Sequence, residues 1–270
     1  MPRRPTFSII SVTWRDLEGL KATAASIDNQ SDRDFEWIVV DGQSDDGTPE
    51  WLGLQNRPCC SWTSERDAGI FDAMNKGIDR SSGDYFVFMN SGDVFASPET
   101  LATVHAVIAG ASGSPDLVYG DSIDVQSDGN ELYRKARDPG WIRYGMFASH
   151  QATFFRRAHF PGLRHDLSFP TSGDYGFIAA FLKGGSGAAP AGCTYVAQPL
   201  CRFSLGGTHF TGRLRALKED FRIRTGILRQ PLLVAAGLYA AHRAHHFLKL
   251  TVPGLTRRMR YGSGQADQQG

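Results

Sequence analysis

The sequence predicts an α/β fold with a mostly parallel central sheet, helices on both faces of that sheet, and a basic helical tail at the C-terminus. Strand-like runs such as FSIISV and WIVV are apolar over nearly their whole length. A segment between them spaces Leu17, Leu20, Ala24 and Ile27 along one helix face. Polar, acid-bearing turns follow the apolar runs. Strands that are apolar on both sides need cover on both faces, as in parallel sheets with crossover helices.

The N-terminal elements follow the order strand, helix, strand, helix, helix, strand. One helix is predicted to begin at Thr48 as its N-cap, with Pro49 at the first helical position. Another covers residues 68–83 and ends in a glycine-containing turn. The predicted strands, with their following turns, lie within residues 6–14, 35–48, 84–93, 116–125, 151–160 and 193–207, and helices also lie within residues 15–30 and 174–185.

The net charge of +1 conceals an uneven distribution. Residues 211–260 hold eleven Lys and Arg against two acids, while the rest of the chain holds 18 basic and 26 acidic residues. We expect this segment to be an amphipathic helical extension that contacts an anionic membrane surface. The alternatives are packing on the rest of the chain or a homodimer contact. Nucleic acid is not an expected partner, because the basic residues lack interleaved aromatic residues that stack on bases.

Three regions are expected: one α/β domain over residues 1–210, the helical extension over residues 211–260 and a disordered tail over residues 261–270. The four cysteines fit no metal-binding spacing and predict buried free thiols in a reducing compartment. No apolar run suits a secretion signal or reaches the roughly 20 residues of a spanning helix. The expected location is cytoplasmic, peripheral on the inner face of the plasma membrane.

Acidic side chains stand where several predicted strands end. Asp41 and Asp45 follow the second strand, Asp93 the third, and Asp121 and Asp124 the fourth. Ligands of open parallel sheets bind outside these carboxyl ends. Acids that converge there repel one another unless a cation or a donor-rich ligand lies among them. The carboxylate of Asp93 suits Mg²⁺ or Mn²⁺ that already carries phosphate oxygens, although the same residue could instead cap the NSGD turn.

A series of motifs carries a family resemblance. Two long stretches, FSIISVTWRDLEGLKATAASIDNQSDRDFEWIVVDGQSDDGTPEWL and DAGIFDAMNKGIDRSSGDYFVFMNSGDVF, are followed in order by LVYGD, SHQATFFRR, GDYGFIAAFL and FSLGGTHF. Over about residues 6–210 the chain resembles the family 2 inverting glycosyltransferases, which have a nucleotide-sugar-binding GT-A fold. It is most similar to small bacterial members that build exopolysaccharide or glycolipid.

The resemblance implies an enzyme of hexosyltransferase type with a single GT-A-like domain. The implied partners are a nucleoside diphosphate sugar as donor and a glycan or lipid-linked acceptor, and the implied cofactor is a divalent cation, Mn²⁺ or Mg²⁺. Thr13 and Trp14 fall at the start of the base pocket, where the indole stacks on the base unless it is a core aromatic. Asp41 would accept a hydrogen bond from the base imide, and Asp45 would support the same loop.

Further matches concern the diphosphate and the metal. Arg66 and Asp67 fall where the family lines the ribose and diphosphate; Asn75 and Lys76 follow, with a helix surface as their alternative role. Asp93 matches the last acid of the family's Asp-X-Asp metal motif. The preceding positions here are Asn90, Ser91 and Gly92. Asn90 can still hydrogen-bond to ribose, while the donor diphosphate would supply most of the metal ligands.

The resemblance also implies a catalytic base. Asp174 in SGDYGF matches the residue that takes the proton of the acceptor hydroxyl during attack on the anomeric carbon. Its alternative role is that of an acid in the first turn of a helix. His150 and Gln151 match a segment beside the acceptor and donor sugar, although a single histidine can also be structural. Asp121 would help to position sugar or acceptor, and the glycines of FSLGGTH suit a loop that closes over the diphosphate.

Two rival functions compete with this one. A dehydrogenase of dinucleotide-binding type needs a glycine-rich turn directly after the first strand, and SVTWRDLEG provides none. A catalytically inactive nucleotide-sugar-binding assembly factor of the same fold stays open, because the acids expected before Asp93 are replaced.

Overall fold

The computed structural model describes residues 4–55, 57–126, 128–184, 191–204 and 212–251. The strands are β1 Phe7–Thr13, β2 Phe35–Asp41, β3 Cys60–Ser64, β4 Tyr85–Phe88, β5 Val94–Phe95, β6 Leu117–Val125, β7 Glu131–Arg134, β8 Thr153–Arg156 and β9 Cys193–Ser204. The helices are α1 Leu17–Asp28, α2 Thr48–Gly53, α3 Ile70–Arg80, α4 Thr100–Gly110, α5 Gly173–Lys183, α6 Arg213–Gly226 and α7 Leu232–Thr251. Short 3-10 helices cover Pro139–Arg143, His150–Ala152 and Arg157–His159.

These residues form a nine-stranded sheet in the order β3-β2-β1-β4-β8-β6-β9-β5, with β7 paired to β6. The first four strands in that order are parallel. Strand β8 runs antiparallel between β4 and β6, and the long pairing of β6 with β9 is parallel again. The fold is therefore α/β with a curled, mostly parallel sheet, which confirms the predicted fold class.

The core lies on both faces of the sheet because successive side chains of the central strands point to opposite sides. Ile10 of β1 packs with Phe71 of α3 and Phe177 of α5 in one cluster. Its neighbour Ile9 packs with Leu20 of α1 and with α4 in the other cluster. Both residues are fully buried, as the continuous apolar strands predict.

Several elements were not anticipated from the pattern of residues. Strand β3, with the sequence CSWTS, lies at the edge of the sheet and is partly exposed, so it lacks the apolar run of a central strand. The two-residue strand β5, the hairpin strand β7 and helix α4 were likewise not predicted. All four cysteines are free, but only Cys201 is buried; Cys60 and Cys193 are partly buried and Cys59 is exposed, so the prediction of buried thiols is wrong for Cys59 and holds fully only for Cys201.

The predicted helical extension is helical as far as the structure describes it. Helix α6 packs on the α/β domain: the Glu219 carboxylate accepts hydrogen bonds from the backbone N–H groups of Thr171 and Ser172. The buried Arg224 guanidinium donates to the backbone oxygen of Tyr144. Helix α7 follows α6 and leaves Leu233 86% exposed. Within the described residues, no helix is both long enough and apolar enough to cross a membrane.

Several predictions concern residues outside the described ranges. They are the FSLGGTHF loop beyond Ser204, the end of the extension after Thr251 and the tail over residues 261–270.

Candidate active site

The carboxyl ends of β1, β2 and β3 meet at one edge of the sheet. Thr13, Asp41 and Ser64, one from each strand, lie opposite one another in the parallel register. Trp14 follows β1 directly, and the acidic loop over residues 42–47 follows β2. Residues that are distant in the chain are thus placed side by side at the edge where the sequence predicted a nucleotide.

An open cleft of about 780 Å³ lies against these strand ends. Its volume is in the range of roughly 300–1,000 Å³ that is usual for small-molecule sites. Four predicted residues line it together, namely Trp14, Asp45, Arg66 and Asp67. The lining also includes Arg15 and Gln43, to which the sequence assigned no role.

Trp14 is a surface residue of this cleft and not a core aromatic, since 63% of its area is exposed. The Arg15 guanidinium lies 5.1 Å from the centre of the indole ring and pairs with the Asp45 carboxylate at 2.7 Å. The backbone of Arg15 is left-handed, with φ 52°, and its N–H donates to Ser44 Oγ at 2.7 Å. The loop after β2 therefore holds the Trp14–Arg15 pair in place.

Asp41 organises that loop from below. It is fully buried, and its carboxylate accepts from Ser44 N–H at 3.0 Å, from Ser44 Oγ at 2.5 Å and from Ser64 Oγ at 2.5 Å. A carboxylate has about four acceptor positions, so about one is left for a ligand. Thr13 lies beside Asp41, and its buried hydroxyl has no hydrogen-bond partner within the described part of the chain.

Arg66 and Asp67 form the far wall of the cleft. Arg66 Nε donates to Gln43 Oε1 at 3.0 Å, and the Asp67 carboxylate accepts from Gly69 N–H at 2.9 Å. The wall lies so close to the β2 loop that a Cβ at Gly42 would be only 2.8 Å from an Asp67 carboxylate oxygen. A side chain at position 42 would therefore have to displace the Asp67 carboxylate.

Asp93 occupies the turn after β4 and is buried, with 8% of its area exposed. Its Oδ2 accepts from Asn90 N–H and from Gln151 Nε2, each at 3.1 Å. Burial raises the pKa of Asp93 to about 7, and the negative charges of Asp174 and Asp16 act in the same direction. The turn itself is held by Thr23 Oγ1, which donates to the backbone oxygens of Asn90 and Asp93.

The residues around Asp93 fit a hard divalent cation. A buried carboxylate near other acids is stabilised by a positive charge, and oxygen is the ligand that Mg²⁺ and Mn²⁺ prefer. The side-chain oxygen of Asn90 is also buried and lacks a hydrogen-bond partner among the described residues. Asp93 and Asn90 would thus contribute two oxygen atoms to such an ion.

The dipeptide His150–Gln151, in a 3-10 helix, connects Asp93 with Asp174. Gln151 donates to Asp93, and its own Oε1 accepts from Ser149 Oγ at 2.7 Å. On the other side, His150 Nδ1 lies 3.1 Å from Asp174 Oδ1, in a geometry that is not that of a hydrogen bond. Two carboxylates from distant segments are therefore placed at one site.

Asp174 lies in the first turn of α5, with 37% of its side chain exposed. The N-cap of that helix is Ser172. His165 contributes a second imidazole, whose Nε2 lies 3.9 Å from Asp174 Oδ1. Burial lowers the pKa of His150 and lowers that of His165 well below its usual range. Both rings are therefore neutral beside the carboxylate near pH 7.

Sequence reasoning missed His165 and the role of Asn75. The Asn75 side chain donates to the backbone oxygen of His165 at 2.9 Å and accepts from its N–H at 2.7 Å. Asn75 therefore fixes the segment that leads into α5 and is more than a helix-surface residue. No periodicity or motif marks His165, because its position depends on α3 and α5 meeting in space. Lys76 pairs with Glu65 at 3.1 Å and donates to the Arg66 backbone oxygen.

Asp121 is buried, and its carboxylate is engaged by neighbouring strands. It accepts from the Tyr133 hydroxyl, from Tyr195 Oη at 2.8 Å and from Ala136 N–H at 2.7 Å. These contacts join β6 to β7 and β9. Its predicted contact with sugar or acceptor stays a prediction.

Comparison with known proteins identifies relatives of this chain. Residues 8–173 match the family model of glycosyl transferase family 2. An uncharacterized glycosyltransferase of Mycobacterium tuberculosis is 32% identical over 188 residues, covering 66% of this chain and 69% of that protein. A PGL/p-HBAD biosynthesis glycosyltransferase of Mycobacterium bovis is 33% identical over 180 residues, covering 64% and 68%. The amylovoran biosynthesis glycosyltransferase AmsB of Erwinia amylovora is 24% identical over 47% of this chain and 44% of its own length.

Solved structures show the same fold at low identity. S. aureus TarS 1-349 in complex with UDP superposes with a TM-score of 0.65 at 15% identity, covering 94% of this chain and 77% of that one. The mannosyltransferase PcManGT from Pyrobaculum calidifontis, in complex with GDP-Man and Mn²⁺, superposes with a TM-score of 0.62 at 15% identity, covering 96% and 81%. With its α/β fold, its strand-end cleft and the family match over most of its length, this chain belongs to glycosyl transferase family 2 and is a glycosyltransferase.

Proposed function

We propose that this glycosyltransferase acts with inversion and depends on a divalent cation. It moves a sugar from a nucleoside diphosphate sugar to a hydroxyl group of a lipid-linked or polysaccharide acceptor. One observation carries the proposal: the His150–Gln151 dipeptide contacts Asp93 through one side chain and lies beside Asp174 through the other. A cation ligand and a general base are thereby held on opposite sides of one rigid turn.

The cleft supports the nucleotide half of this proposal. The exposed indole of Trp14 offers a surface on which a base can stack, and Asp41 retains acceptor capacity for a base imide. Arg66 is a cation in the same cleft, suited to a diphosphate oxygen. TarS has been solved in complex with UDP and with UDP-GlcNAc, and PcManGT in complex with GDP-Man and Mn²⁺. We extend that donor class, without choosing its sugar, to this chain.

Asp93 and Asn90 would hold Mg²⁺ or Mn²⁺, and the ion would supply positive charge for the diphosphate that leaves. Asp174 accepts the proton of the acceptor hydroxyl while that oxygen attacks the anomeric carbon. The neutral imidazoles of His150 and His165 border the Asp174 carboxylate on one side. A single displacement of this kind inverts the configuration of the anomeric carbon.

The names of the relatives and the exposed residues of α7 support the proposed acceptor and location. The relatives are named for PGL/p-HBAD and amylovoran biosynthesis, which places them in glycolipid and exopolysaccharide assembly. Helix α7 exposes 65% of Leu232 and 86% of Leu233, close to a strongly basic segment. We propose that this helix contacts the anionic inner face of the plasma membrane. A homodimer contact through the same helix is the alternative, and vesicle flotation of the full chain with and without residues 231–270 separates the two.

A donor screen with a matched variant tests the proposed chemistry. Thermal shifts are measured with a panel of nucleotide sugars, each with and without Mn²⁺, followed by a transfer and donor-hydrolysis assay. Asp174→Asn should keep the donor-dependent shift and lose about 10²–10⁴-fold in turnover. Asp166→Asn removes an exposed carboxylate from the same segment and serves as the control.

Two results would contradict this proposal. Turnover of Asp174→Asn at the wild-type rate would remove the base assignment. Donor binding by the wild type without hydrolysis or transfer in Mn²⁺ would support the inactive assembly factor instead.

A further inference from the structure

A group of three metal-ligating side chains lies beside the proposed base. One ligand atom from each of His150, His165 and Asp174 lies within 4.8 Å of the other two. The Asp174 Oδ1 atom is 3.1 Å from His150 Nδ1 and 3.9 Å from His165 Nε2. Both imidazoles are buried, with 4% and 3% of their residue areas exposed. This group is separate from the oxygen atoms of Asp93 and Asn90.

The polar atoms of this group have no hydrogen-bond partner among the described residues. That holds for both ring nitrogens of His150, both of His165 and Oδ1 of Asp174. An unsatisfied buried polar group destabilises the folded state. Several of them around one point indicate that a water molecule or an ion belongs there.

The chemistry of the ligands favours a transition-metal ion over Mg²⁺. Two neutral imidazoles and one carboxylate are a common set for zinc, whereas Mg²⁺ prefers oxygen atoms and its own water shell. Imidazole binds metal through a ring nitrogen, and both rings are buried with their nitrogen atoms unpaired among the described residues. The proposed cation at Asp93 has only oxygen ligands, so the two sites differ in selectivity.

The geometry requires only a small adjustment. Zinc bonds of about 2.0–2.2 Å place tetrahedral ligand atoms about 3.4 Å apart, close to the observed 3.1 and 3.9 Å. The imidazoles are fixed by ring stacking, with centroids 4.6 Å from Phe88 to His150 and 4.2 Å from Phe177 to His165. The half-exposed carboxylate of Asp174 can move, while the separation of the two ring nitrogens, which is within 4.8 Å, depends on the imidazoles themselves.

We propose that His150, His165 and Asp174 form a second cation site that binds Zn²⁺ or Co²⁺ and that filling it inhibits the transferase. Binding would occupy the Asp174 oxygen that accepts the acceptor proton. The inhibitory part of this inference rests on the proposed role of Asp174 as base, while the binding part does not.

Binding is tested with Co²⁺, because four-coordinate Co²⁺ with nitrogen ligands has a strong visible absorption band. The chain has other surface ligands, so the experiment uses a background variant with Cys59→Ser, His245→Gln and His246→Gln. In that background, one equivalent of Co²⁺ should produce the band, and an equivalent of Zn²⁺ should remove it. Asp93→Asn should leave the band unchanged, because it removes only the other proposed site.

His165→Phe in the same background is the decisive variant. A phenyl ring keeps the stacking with Phe71 and Phe177, so the variant should fold, as checked by its melting temperature. Loss of a residue that only hydrogen-bonds to a metal ligand lowers metal affinity roughly 10–100-fold. Because His165→Phe removes a ligand itself, it should lower Co²⁺ affinity by more than that. His105→Asn, at a half-buried histidine paired with Asp32, is the control and should bind Co²⁺ as before.

The outcomes separate this site from the proposed function. Absence of the band in the folded background protein, or an unchanged band in folded His165→Phe, overturns the cation site and leaves a water molecule there. Zn²⁺ should inhibit turnover in excess Mn²⁺. When the turnover of each protein is expressed relative to its own rate without Zn²⁺, half-inhibition of His165→Phe should require at least tenfold more Zn²⁺ than half-inhibition of the background protein. Binding of Co²⁺ by a chain without transferase activity would retain the site while rejecting the proposed function.

Discussion

Replacing Asp93 by asparagine should remove the pH dependence that this carboxyl group imposes on folding. Burial, with the nearby charges of Asp174 and Asp16, raises the pKa of Asp93 from 3.8 to about 7. At about 1.4 kcal/mol per pH unit, that difference corresponds to at most about 4 kcal/mol. The introduced amide would keep an acceptor for Asn90 N–H and Gln151 Nε2 and would carry no charge at any pH.

The sign follows from proton binding. Between about pH 4 and pH 7 the native protein holds the Asp93 proton and the unfolded chain does not, so this group makes the free energy of unfolding fall as the pH rises. Above the native pKa, the stabilisation that comes from the Asp93 proton is completely lost. Without metal, Asp93→Asn should therefore be more stable than the wild type at pH 8, by up to about 4 kcal/mol, and the difference should vanish near pH 4.

The assay is urea unfolding followed by circular dichroism at several pH values in EDTA, for the wild type and for Asp93→Asn. The free energy of unfolding is plotted against pH for each protein. Subtracting one curve from the other cancels the contribution of groups that titrate alike in both proteins. Glu18→Gln, which removes an exposed carboxylate on α1, controls for the change in net charge. A difference between wild type and Asp93→Asn that is constant from pH 4 to pH 8 would refute the reasoning, as would an Asp93→Asn protein less stable at pH 8.

Three further predictions concern the cleft, the core and α5. Trp14→Ala should weaken donor binding by about 1–3 kcal/mol, the contribution of one base–aromatic stack, measured by calorimetry against Trp141→Ala, whose indole does not line the cleft. Gly77→Ala should lower the free energy of unfolding by about 1–3 kcal/mol, because its Cβ would lie 2.3 Å from Ile10 Cγ2 between α3 and β1; an unchanged urea midpoint would contradict this packing. Glu219→Gln should cost about 1.5–3 kcal/mol by weakening the bonds to the backbone before α5, with Lys218→Gln as the surface control.

The side chains of the nucleotide cleft could largely be predicted from local sequence. Continuous apolar strands require cover on both faces, and their polar ends then have to meet at one edge of the sheet. Trp14 and Asp45 line the cleft at the ends of two such strands, whereas Arg66 and Asp67 follow β3 and were identified through the family resemblance. Their motifs are local, so residue order is enough to find them. Strand β3 was missed because an edge strand needs no apolar run.

The environment of the two proposed reactive carboxylates depends on tertiary structure. The raised pKa of Asp93 comes from burial, and no pattern within the NSGD turn specifies how deeply that turn lies. Gln151 reaches Asp93 only because β8 is inserted beside β4. His165 lies beside Asp174 through the stacking of its ring between Phe71 and Phe177.

The sequence by itself determined the fold class, through the periodicity of its apolar residues, and the cleft residues, through motifs within single segments that resemble those of the family. Only the tertiary structure decided that Trp14 is exposed, that Asp121 is bound by two tyrosines, and that two imidazoles border Asp174. The physical reason is that burial and electrostatic environment arise from contacts between distant segments. Such contacts depend on how helices and strands pack, which spacing along one chain does not encode.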